Sequence, residues 1–158
     1  MTAKSVPEGF HTITPYMTVR NAARAIEFYK QAFGAVEKGG VMKSPDGKVA
    51  HAELQIGDSI LMLGDEFPQM GALSPQSTGG AGMGLHIYVE DVDSAFDRAV
   101  KAGATVEMPV ADMFWGDRYG KLADPFGHKW SMSQTLRTPS EDEIREAAKE
   151  AFPAPQEG

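Results

Sequence analysis

An internal repeat constrains the fold of this chain more than any other feature of its sequence. The segment TPYMTVRNAARAIEFYKQAFGAV (14–36) resembles GLHIYVEDVDSAFDRAVKAGATV (84–106) in the order of its apolar, polar and glycine positions. The aligned pairs are Val19 with Val89, Asn21 with Asp91, Ala25 with Ala95, and Gly34 with Gly103. Identity is low, so it is the shared pattern that indicates a duplicated structural unit.

Each copy of the repeat predicts the element order βαβββ. A strand rich in β-branched and aromatic residues comes first, and Asn21 or Asp91 then offers a side-chain acceptor to the start of a helix. The two helices, at about 22–33 and 92–102, have apolar residues at helical spacing and end at Gly34 and Gly103. Three strands follow in each copy, at about 36–42, 48–56 and 59–63, and at about 105–110, 118–123 and 129–133.

Two such units must combine, because one βαβββ unit is too thin to bury both faces of its sheet. The sequence therefore predicts an α+β fold in which two βαβββ modules form curved mixed sheets around a cavity. We assign the first module to residues 12–64, a Gly-, Pro- and Ser-rich linker to 65–82, and the second module to 83–136, as one domain over 12–136.

A short helix is predicted at the C-terminal end, over residues 138–152. Thr138 and Glu141 have the spacing of a capping box, and Pro139 suits a first helical position. A narrow apolar stripe predicts packing on the body of the protein or on a partner subunit, and the prolines at 153 and 155 end the helix.

Composition excludes several classes of function. The net charge is −7 and the basic residues are not clustered, which argues against a nucleic-acid partner. The absence of cysteine rules out disulfides, thiolate nucleophiles and cysteine-type zinc sites. No apolar run is long enough to cross a bilayer, and the N-terminal residues do not resemble a signal peptide. We therefore expect a cytoplasmic protein with no membrane partner.

The motifs of the two copies resemble a known superfamily. The segments IEFYKQAFGA, HAELQIGDS, LHIYVEDVDSAF and FWGDRYGKLADPFGHKW are similar to the vicinal-oxygen-chelate proteins of glyoxalase/bleomycin-resistance/dioxygenase type, and to their PhnB-like branch. The resemblance extends over about residues 12–134 and implies the paired-module fold and a homodimer, with modules exchanged between subunits or not. It leaves activity open, because the superfamily includes lyases, isomerases, dioxygenases and non-catalytic drug-binding proteins.

The resemblance also implies where a metal ion would be held. Metal-dependent members take one ligand from the first and one from the last strand of each module. Those positions fall on Thr14, Leu61 (or Met62 if the turn shifts by one residue), Gly84 and Ser131. None is a histidine or a carboxylate, so we predict a site without a metal or other cofactor.

A different metal site is the alternative. Residues two apart in a strand share a face, so His51 and Glu53 point the same way, and His86 shares a face with Gly84. These three side chains would form a divalent-metal site of two histidines and a carboxylate if they converged. Otherwise they are polar groups that line the pocket or hydrogen-bond to one another.

The candidate ligand-binding residues lie on the predicted cavity face and in one turn. On the strands we place Tyr16, His51, Glu53, Leu61, His86, Tyr88 and Ser131. The stretch before the DPFGH turn adds Phe114, Trp115, Arg118 and Tyr119. Phe114 and Trp115 would stack on a flat ligand, or Trp115 would only close the barrel end or a dimer interface. Arg118 would bind an anionic group or be neutralised by Asp117.

Two functions follow from this pattern. The first is metal-free binding of a small aromatic or amphipathic molecule, since a largely apolar cavity with a few polar groups is typical of small-molecule sites. The alternative is an enzyme, with Glu53 as a general base or with a divalent metal ion. The resemblance would then suggest lyase, isomerase or dioxygenase chemistry.

Overall fold

Both copies of the repeat fold as βαβββ modules in the computed structural model of the chain, which describes residues 2–152 and 154–155. The first module contains β1 (Tyr16–Val19), α1 (Ala22–Phe33), β2 (Val36–Lys43), β3 (Val49–Ile56) and β4 (Ser59–Asp65). A one-turn helix, α2 (Pro75–Thr78), lies between the modules. The second module contains β5 (Gly84–Tyr88), α3 (Val92–Ala102), β6 (Thr105–Asp112), β7 (Asp117–Ala123) and β8 (Lys129–Thr135). The predicted α+β class is confirmed.

Each module forms one curved, four-stranded mixed sheet that does not close into a barrel. The strand orders are β1-β4-β3-β2 and β5-β8-β7-β6, and the first strand of each module pairs in parallel with the last. The helix of each module covers one face of its sheet. In the first sheet the covered face includes Leu54 paired with Leu61, and in the second it includes Trp130 paired with Leu122.

The other face of each sheet is free of helices. We call these surfaces the open face of sheet one and the open face of sheet two. On the first, Tyr16 and Glu53 both pair with Met62. On the second, the residues that share the face through their pairing are His86, Tyr88, Tyr119, Lys121, Ser131 and Ser133.

The predicted helix caps are present in both modules. The Asn21 side chain accepts a hydrogen bond from the Arg24 amide at 3.2 Å, and the Asp91 side chain accepts one from Ser94 at 3.1 Å. Asn21 adopts a left-handed conformation with φ 62°, which asparagine tolerates better than most residues. The repeat therefore sets both helix starts by the same local hydrogen bond.

The two modules pack through α1, α3 and the turn between β7 and β8. The buried carboxylate of Asp124 lies at this junction and accepts four hydrogen bonds. Its Oδ2 atom accepts from the Tyr29 hydroxyl of α1 at 2.6 Å and from Trp130 Nε1 at 2.9 Å. Its Oδ1 atom accepts from the amides of Phe126 at 2.9 Å and His128 at 3.0 Å. Burial, together with the charge and hydrogen bond of Asp124, raises the pKa of Tyr29, so the hydroxyl stays a donor.

The segment between the modules is more ordered than the predicted linker over 65–82. Asp65 completes β4, a 3₁₀ turn follows at Pro68–Met70, and α2 comes next. Glu66 organises this segment: its Oε1 atom accepts hydrogen bonds from the Ser74 amide at 2.9 Å, the Ser74 hydroxyl and the Ser77 hydroxyl. These hydrogen bonds, with a smaller effect of Arg20, lower the pKa of Glu66 to about 2.

The C-terminal helix α4 spans Glu141–Ala151. The predicted capping box was wrong by two residues: Ser140 is the N-cap, and its Oγ atom accepts a hydrogen bond from the Glu143 amide at 3.2 Å. Three acidic residues in the first turn favour this start, because they complement the helix dipole. The proline at 153, predicted to end the helix, lies outside the described residues. In the described part of the chain, no helix is both long and apolar enough to cross a lipid bilayer.

We expect Tyr29→Phe to destabilise the fold, because it leaves the buried Asp124 carboxylate with three donors instead of four. A hydrogen bond to a charged group contributes about 1.5–3 kcal/mol, so the free energy of unfolding should fall by about that amount. Urea unfolding followed by circular dichroism measures it. Tyr88→Phe is the matched control, since the Tyr88 side chain is 72% exposed and should tolerate the same change within about 0.5 kcal/mol. Equal effects of the two substitutions would contradict the role of Asp124.

We expect Glu66 to make the protein acid-sensitive. Its pKa is about 2 in the folded chain against an ordinary value of 4.5, so its contribution to stability is present above about pH 4.5 and is lost as the pH falls towards 2. Glu66→Gln should therefore lose less stability than the native protein over this interval. The same substitution at the exposed Glu8 is the control and should leave the acid dependence unchanged. Parallel acid profiles for the native protein and Glu66→Gln would refute the assignment.

Candidate functional site

A network of three side chains lies on the open face of sheet one. Nδ1 of His51 is 3.2 Å from the Tyr16 hydroxyl, and Nε2 of His51 is 3.0 Å from Oε1 of Glu53. The Tyr16 hydroxyl also donates to the Ala50 carbonyl at 3.2 Å. Both ring nitrogens of His51 are therefore engaged, and the predicted hydrogen bond between His51 and Glu53 is present. The function of Glu53 as a general base stays a prediction.

His86 occupies the corresponding region of sheet two and lies between two serines. Nδ1 of His86 is 2.7 Å from Oγ of Ser131, and Nε2 is 2.9 Å from Oγ of the fully buried Ser133. Desolvation lowers the pKa of His86, against a smaller opposing effect of the Asp117 carboxylate. The imidazole is thus held in place at both nitrogens and favours its neutral form.

Aromatic rings form a continuous series from His86 to the C-terminal helix. The Tyr119 ring stacks on His86 at 5.8 Å between centroids, and Trp115 meets Tyr119 edge-on at 5.5 Å. Phe114 contacts Trp115 at 5.1 Å, and Phe152, which follows α4, contacts Phe114 at 6.1 Å. The sequence-predicted cluster is therefore assembled in space, and it connects the β6–β7 turn with the open face of sheet two.

The position of the β6–β7 turn depends on Gly116. This residue has φ 105°, and its carbonyl accepts hydrogen bonds from the amides of Leu136 and Arg137 at 3.0 and 3.1 Å. A Cβ atom at position 116 would lie 2.2 Å from the Arg137 carbonyl oxygen. Glycine is required here both for its backbone conformation and for the close approach of the chain that leads to α4.

Arg118 lies on the helix-covered side of sheet two, away from the open face. Its side chain forms a bidentate ion pair with Asp93 in the first turn of α3, at 2.8 and 2.9 Å, and a further ion pair with Asp112 at 2.9 Å. The hydrogen bonds to Asp93 and Asp112 raise the pKa of the guanidinium. One of the two expectations for Arg118 was that a neighbouring carboxylate neutralises it. It is neutralised, but by Asp93 and Asp112 and not by Asp117.

The register of β4 places Leu61 on the helix-covered face, where it is 4% exposed. Met62, the alternative to Leu61 for the last-strand metal position, lies on the open face instead. The reason is the length of the turn before the last strand of each module. The β3–β4 turn has two residues between the paired Ile56 and Ser59, whereas the β7–β8 turn has five between Ala123 and Lys129. Because side chains alternate along a strand, this difference reverses the face of the residues that follow the turn.

A cavity of about 750 Å³ opens where the N-terminal segment and the β3–β4 turn approach β5. Its lining includes Ile13, Pro15, Leu61, His86, Tyr88 and Trp130. Three sequence-predicted residues, Leu61, His86 and Tyr88, therefore meet at one cavity within a single chain. Its volume is in the range of small-molecule pockets. Tyr16, His51 and Glu53 lie on the open face of sheet one and do not line it.

The residues at the inherited metal positions do not fit a metal ion. Thr14, Met62 or Leu61, Gly84 and Ser131 offer at most two hydroxyls, and a divalent ion needs several nitrogen or oxygen ligands that converge. The alternative set is divided between two sheets, with His51 and Glu53 on one and His86 on the other. Among residues 2–152, 154 and 155, no three His, Asp or Glu side chains are arranged to hold a metal.

One residue of the site, Lys121, was missed in the sequence, and Met62 was considered only as the alternative to Leu61. Ser133 anchors His86, Lys121 lies opposite Ser131, and Met62 faces Tyr16 and Glu53. The alternation of β8 indicates Ser133, because it lies two residues after Ser131 on the same face. Lys121 and Met62 depend on cross-strand register, which the turn lengths set.

Comparison with known proteins agrees with this geometry. Residues 9–132 match the family model of the Glyoxalase/Bleomycin resistance protein/Dioxygenase superfamily. A protein of Mycobacterium tuberculosis strain H37Rv is 49% identical over 138 residues, which cover 85% of this chain and 81% of that protein. The X-ray structure of an Arabidopsis thaliana gene product aligns with a TM-score of 0.63 and 29% identity, covering 78% of this chain and 98% of that one. The PhnB protein of Bacillus cereus aligns with a TM-score of 0.60 and 20% identity, covering 78% and 99%.

The predicted superfamily is therefore confirmed, and the neighbours include a PhnB protein. The family match begins before β1 and ends within β8, so it covers the first module and most of the second. This chain belongs to the glyoxalase/bleomycin resistance/dioxygenase superfamily.

Proposed function

We propose that this protein binds a small aromatic or amphipathic molecule, without a metal ion, on the open faces of its sheets. The observation that supports this most directly is the large apolar side chains that the open faces present to solvent. Tyr16 is 54% exposed and Tyr88 72%, and Met42, which pairs with His51 on the open face of sheet one, is 62% exposed. Exposed apolar groups on one face of a sheet, among a few polar ones, are typical of a binding site.

The polar groups on these faces are held in fixed positions. On sheet one, His51 is fixed by Tyr16 and Glu53, and on sheet two, His86 is fixed by Ser131 and Ser133. Fixed donors and acceptors beside aromatic rings orient a ligand without needing to reorganise. The site is thus suited to recognise a molecule by enclosure and stacking, with a few directional hydrogen bonds.

We further propose that two copies of the chain close the site. The modules of one chain pack through their helices, so the open faces of its own sheets are not enclosed by each other. A two-fold axis would place sheet one of one copy opposite sheet two of the other, and the same contact would occur twice. Superfamily membership supports a homodimer of this kind.

Titration with the neutral planar probe N-phenyl-1-naphthylamine tests the binding proposal. We expect saturable fluorescence enhancement, because the probe would enter an apolar site lined with aromatic rings. Tyr88→Ala should weaken binding about 2- to 10-fold, which corresponds to an aromatic contact of about 0.5–1.5 kcal/mol. Enhancement that does not saturate, or that is the same in Tyr88→Ala, would refute the site.

Arg118→Gln separates a structural from a ligand-binding role. We expect a lower Tm, because the variant loses the ion pairs that tie α3 to β7 and β6, and an unchanged Kd for the probe. Differential scanning calorimetry and the same titration measure both. Arg145→Gln, which breaks an exposed ion pair on α4, is the control for the loss of a charge. A weaker Kd with an unchanged Tm would return Arg118 to the ligand site.

Sedimentation equilibrium tests the dimer. We expect a mass of twice 17.0 kDa. Met42→Lys places a charge on the open face of sheet one and should shift the equilibrium to the monomer, because burying an unpaired charge is costly. Met70→Lys is the matched control, since Met70 lies in the 3₁₀ turn between the modules and is 83% exposed. A native protein that is monomeric throughout would refute closure by two copies.

A further inference from the structure

The hydroxyl hydrogen of Ser133 determines how the His86 network is protonated. Ser133 is fully buried, and within the described part of the chain the only hydrogen-bond partner of its Oγ atom is Nε2 of His86. Buried hydroxyl hydrogens are almost always donated to an acceptor. We therefore assign Ser133 as the donor, which requires Nε2 of His86 to carry no proton.

This assignment gives the network a direction. The neutral imidazole then carries its hydrogen on Nδ1 and donates it to Oγ of Ser131 at 2.7 Å. The lowered pKa of His86 favours the same neutral form. Ser131 accepts this hydrogen bond, so its own hydroxyl hydrogen is left to point away from His86. In such a chain each bond polarises the next, which strengthens the terminal donor.

A positive charge lies beside this donor. Lys121 is directly opposite Ser131 on β7 and is exposed on the same open face. In the described part of the chain, Lys121 forms no ion pair, whereas the neighbouring Lys129 is paired with Glu107. The next pairs along the sheet place Lys129 between Gly84 and Ala123, and Glu107 holds its amine.

Aromatic rings lie on the other side of Ser131. Tyr88 and Tyr119 flank Ser133 on the open face, and the His86 ring contacts both of them. The Asp117 carboxylate shares this face, but it is four residues from Lys121 along β7, which is about 13 Å in an extended strand. A ligand with a ring at one end and a negative charge at the other would therefore be oriented with its charge towards Ser131 and Lys121.

We propose that this part of sheet two binds the carboxylate of a planar aromatic acid, with the Ser131 hydroxyl as hydrogen-bond donor, Lys121 as counter-charge, and Tyr88 and Tyr119 in contact with the ring. The proposal rests on the proposed function and names the class of ligand for that site. Charge-assisted hydrogen bonds are about twice as strong as neutral ones, so the carboxylate should be distinguished from a neutral group of the same shape.

The test compares 2-naphthoate with 2-naphthamide, which differ in the charge of one group. We expect the native protein to bind the acid at least about 10-fold more tightly, by isothermal titration calorimetry at low salt. Lys121→Met and Ser131→Ala should each reduce this ratio towards one while the affinity for the amide stays the same. Lys129→Met is the matched control and should keep the ratio, because Lys129 is already paired with Glu107. Thermal unfolding of each variant verifies that it is folded.

Equal affinities for the acid and the amide in the native protein would overturn this proposal. An unchanged ratio in both Lys121→Met and Ser131→Ala would overturn it as well. If N-phenyl-1-naphthylamine binds but the two naphthalene compounds do not, the anionic site fails and the proposed function stands. If none of the three binds, both fail.

The direction of the hydrogen-bond network has its own measurement. Nitrogen-15 NMR of the His86 ring distinguishes the protonated from the unprotonated nitrogen, with Ser133→Ala as comparison. We expect the proton on Nδ1 in the native protein and a shift towards the other tautomer in Ser133→Ala, because the donor to Nε2 is removed. A proton on Nε2 in the native protein would overturn the assignment of Ser131 as the terminal donor.

Discussion

The buried carboxylate of Asp124 is the interaction on which the arrangement of the two modules depends. A buried charge is costly unless it is fully hydrogen-bonded, and Asp124 has four donors. One of them, Tyr29, comes from the helix of the other module. The contact has no counterpart across the repeat, since Tyr29 aligns with Ala99. A duplicated sequence is thus joined by an asymmetric polar contact, which selects one way of packing α1 against the second module.

This way of packing determines where a ligand can bind. Because the helices and the β7–β8 turn form the contact between modules, each sheet keeps one uncovered face. Exposed aromatic and methionine side chains collect there, together with His51 and His86 in fixed orientations. The proposed dimer and the proposed ligand site follow from the same constraint. The chain leaves the open faces of its two sheets uncovered, so these faces are available to a second copy and to a small molecule.

The inherited metal positions illustrate how the superfamily fold is adapted. Ser131, at one of them, is part of a hydrogen-bond network that runs from the buried Ser133 through His86. A network of neutral groups that ends in a hydroxyl donor suits recognition of an oxygen atom on a ligand. The superfamily fold does not by itself determine what is bound, because the same two sheets can carry different side chains on their open faces.

The sequence by itself determined the fold class, the two modules, both helix starts and the superfamily, because periodicity, caps and turn residues act over a few neighbouring positions. It also placed Tyr16, His51, Glu53, His86, Tyr88 and Ser131 on the open faces, through the alternation of strands. Only the tertiary structure decided the rest. The face of Leu61 depends on the length of a turn, and the partners of Arg118 come from a helix and from the neighbouring strand. These outcomes depend on which distant segments meet, and a local pattern does not encode that.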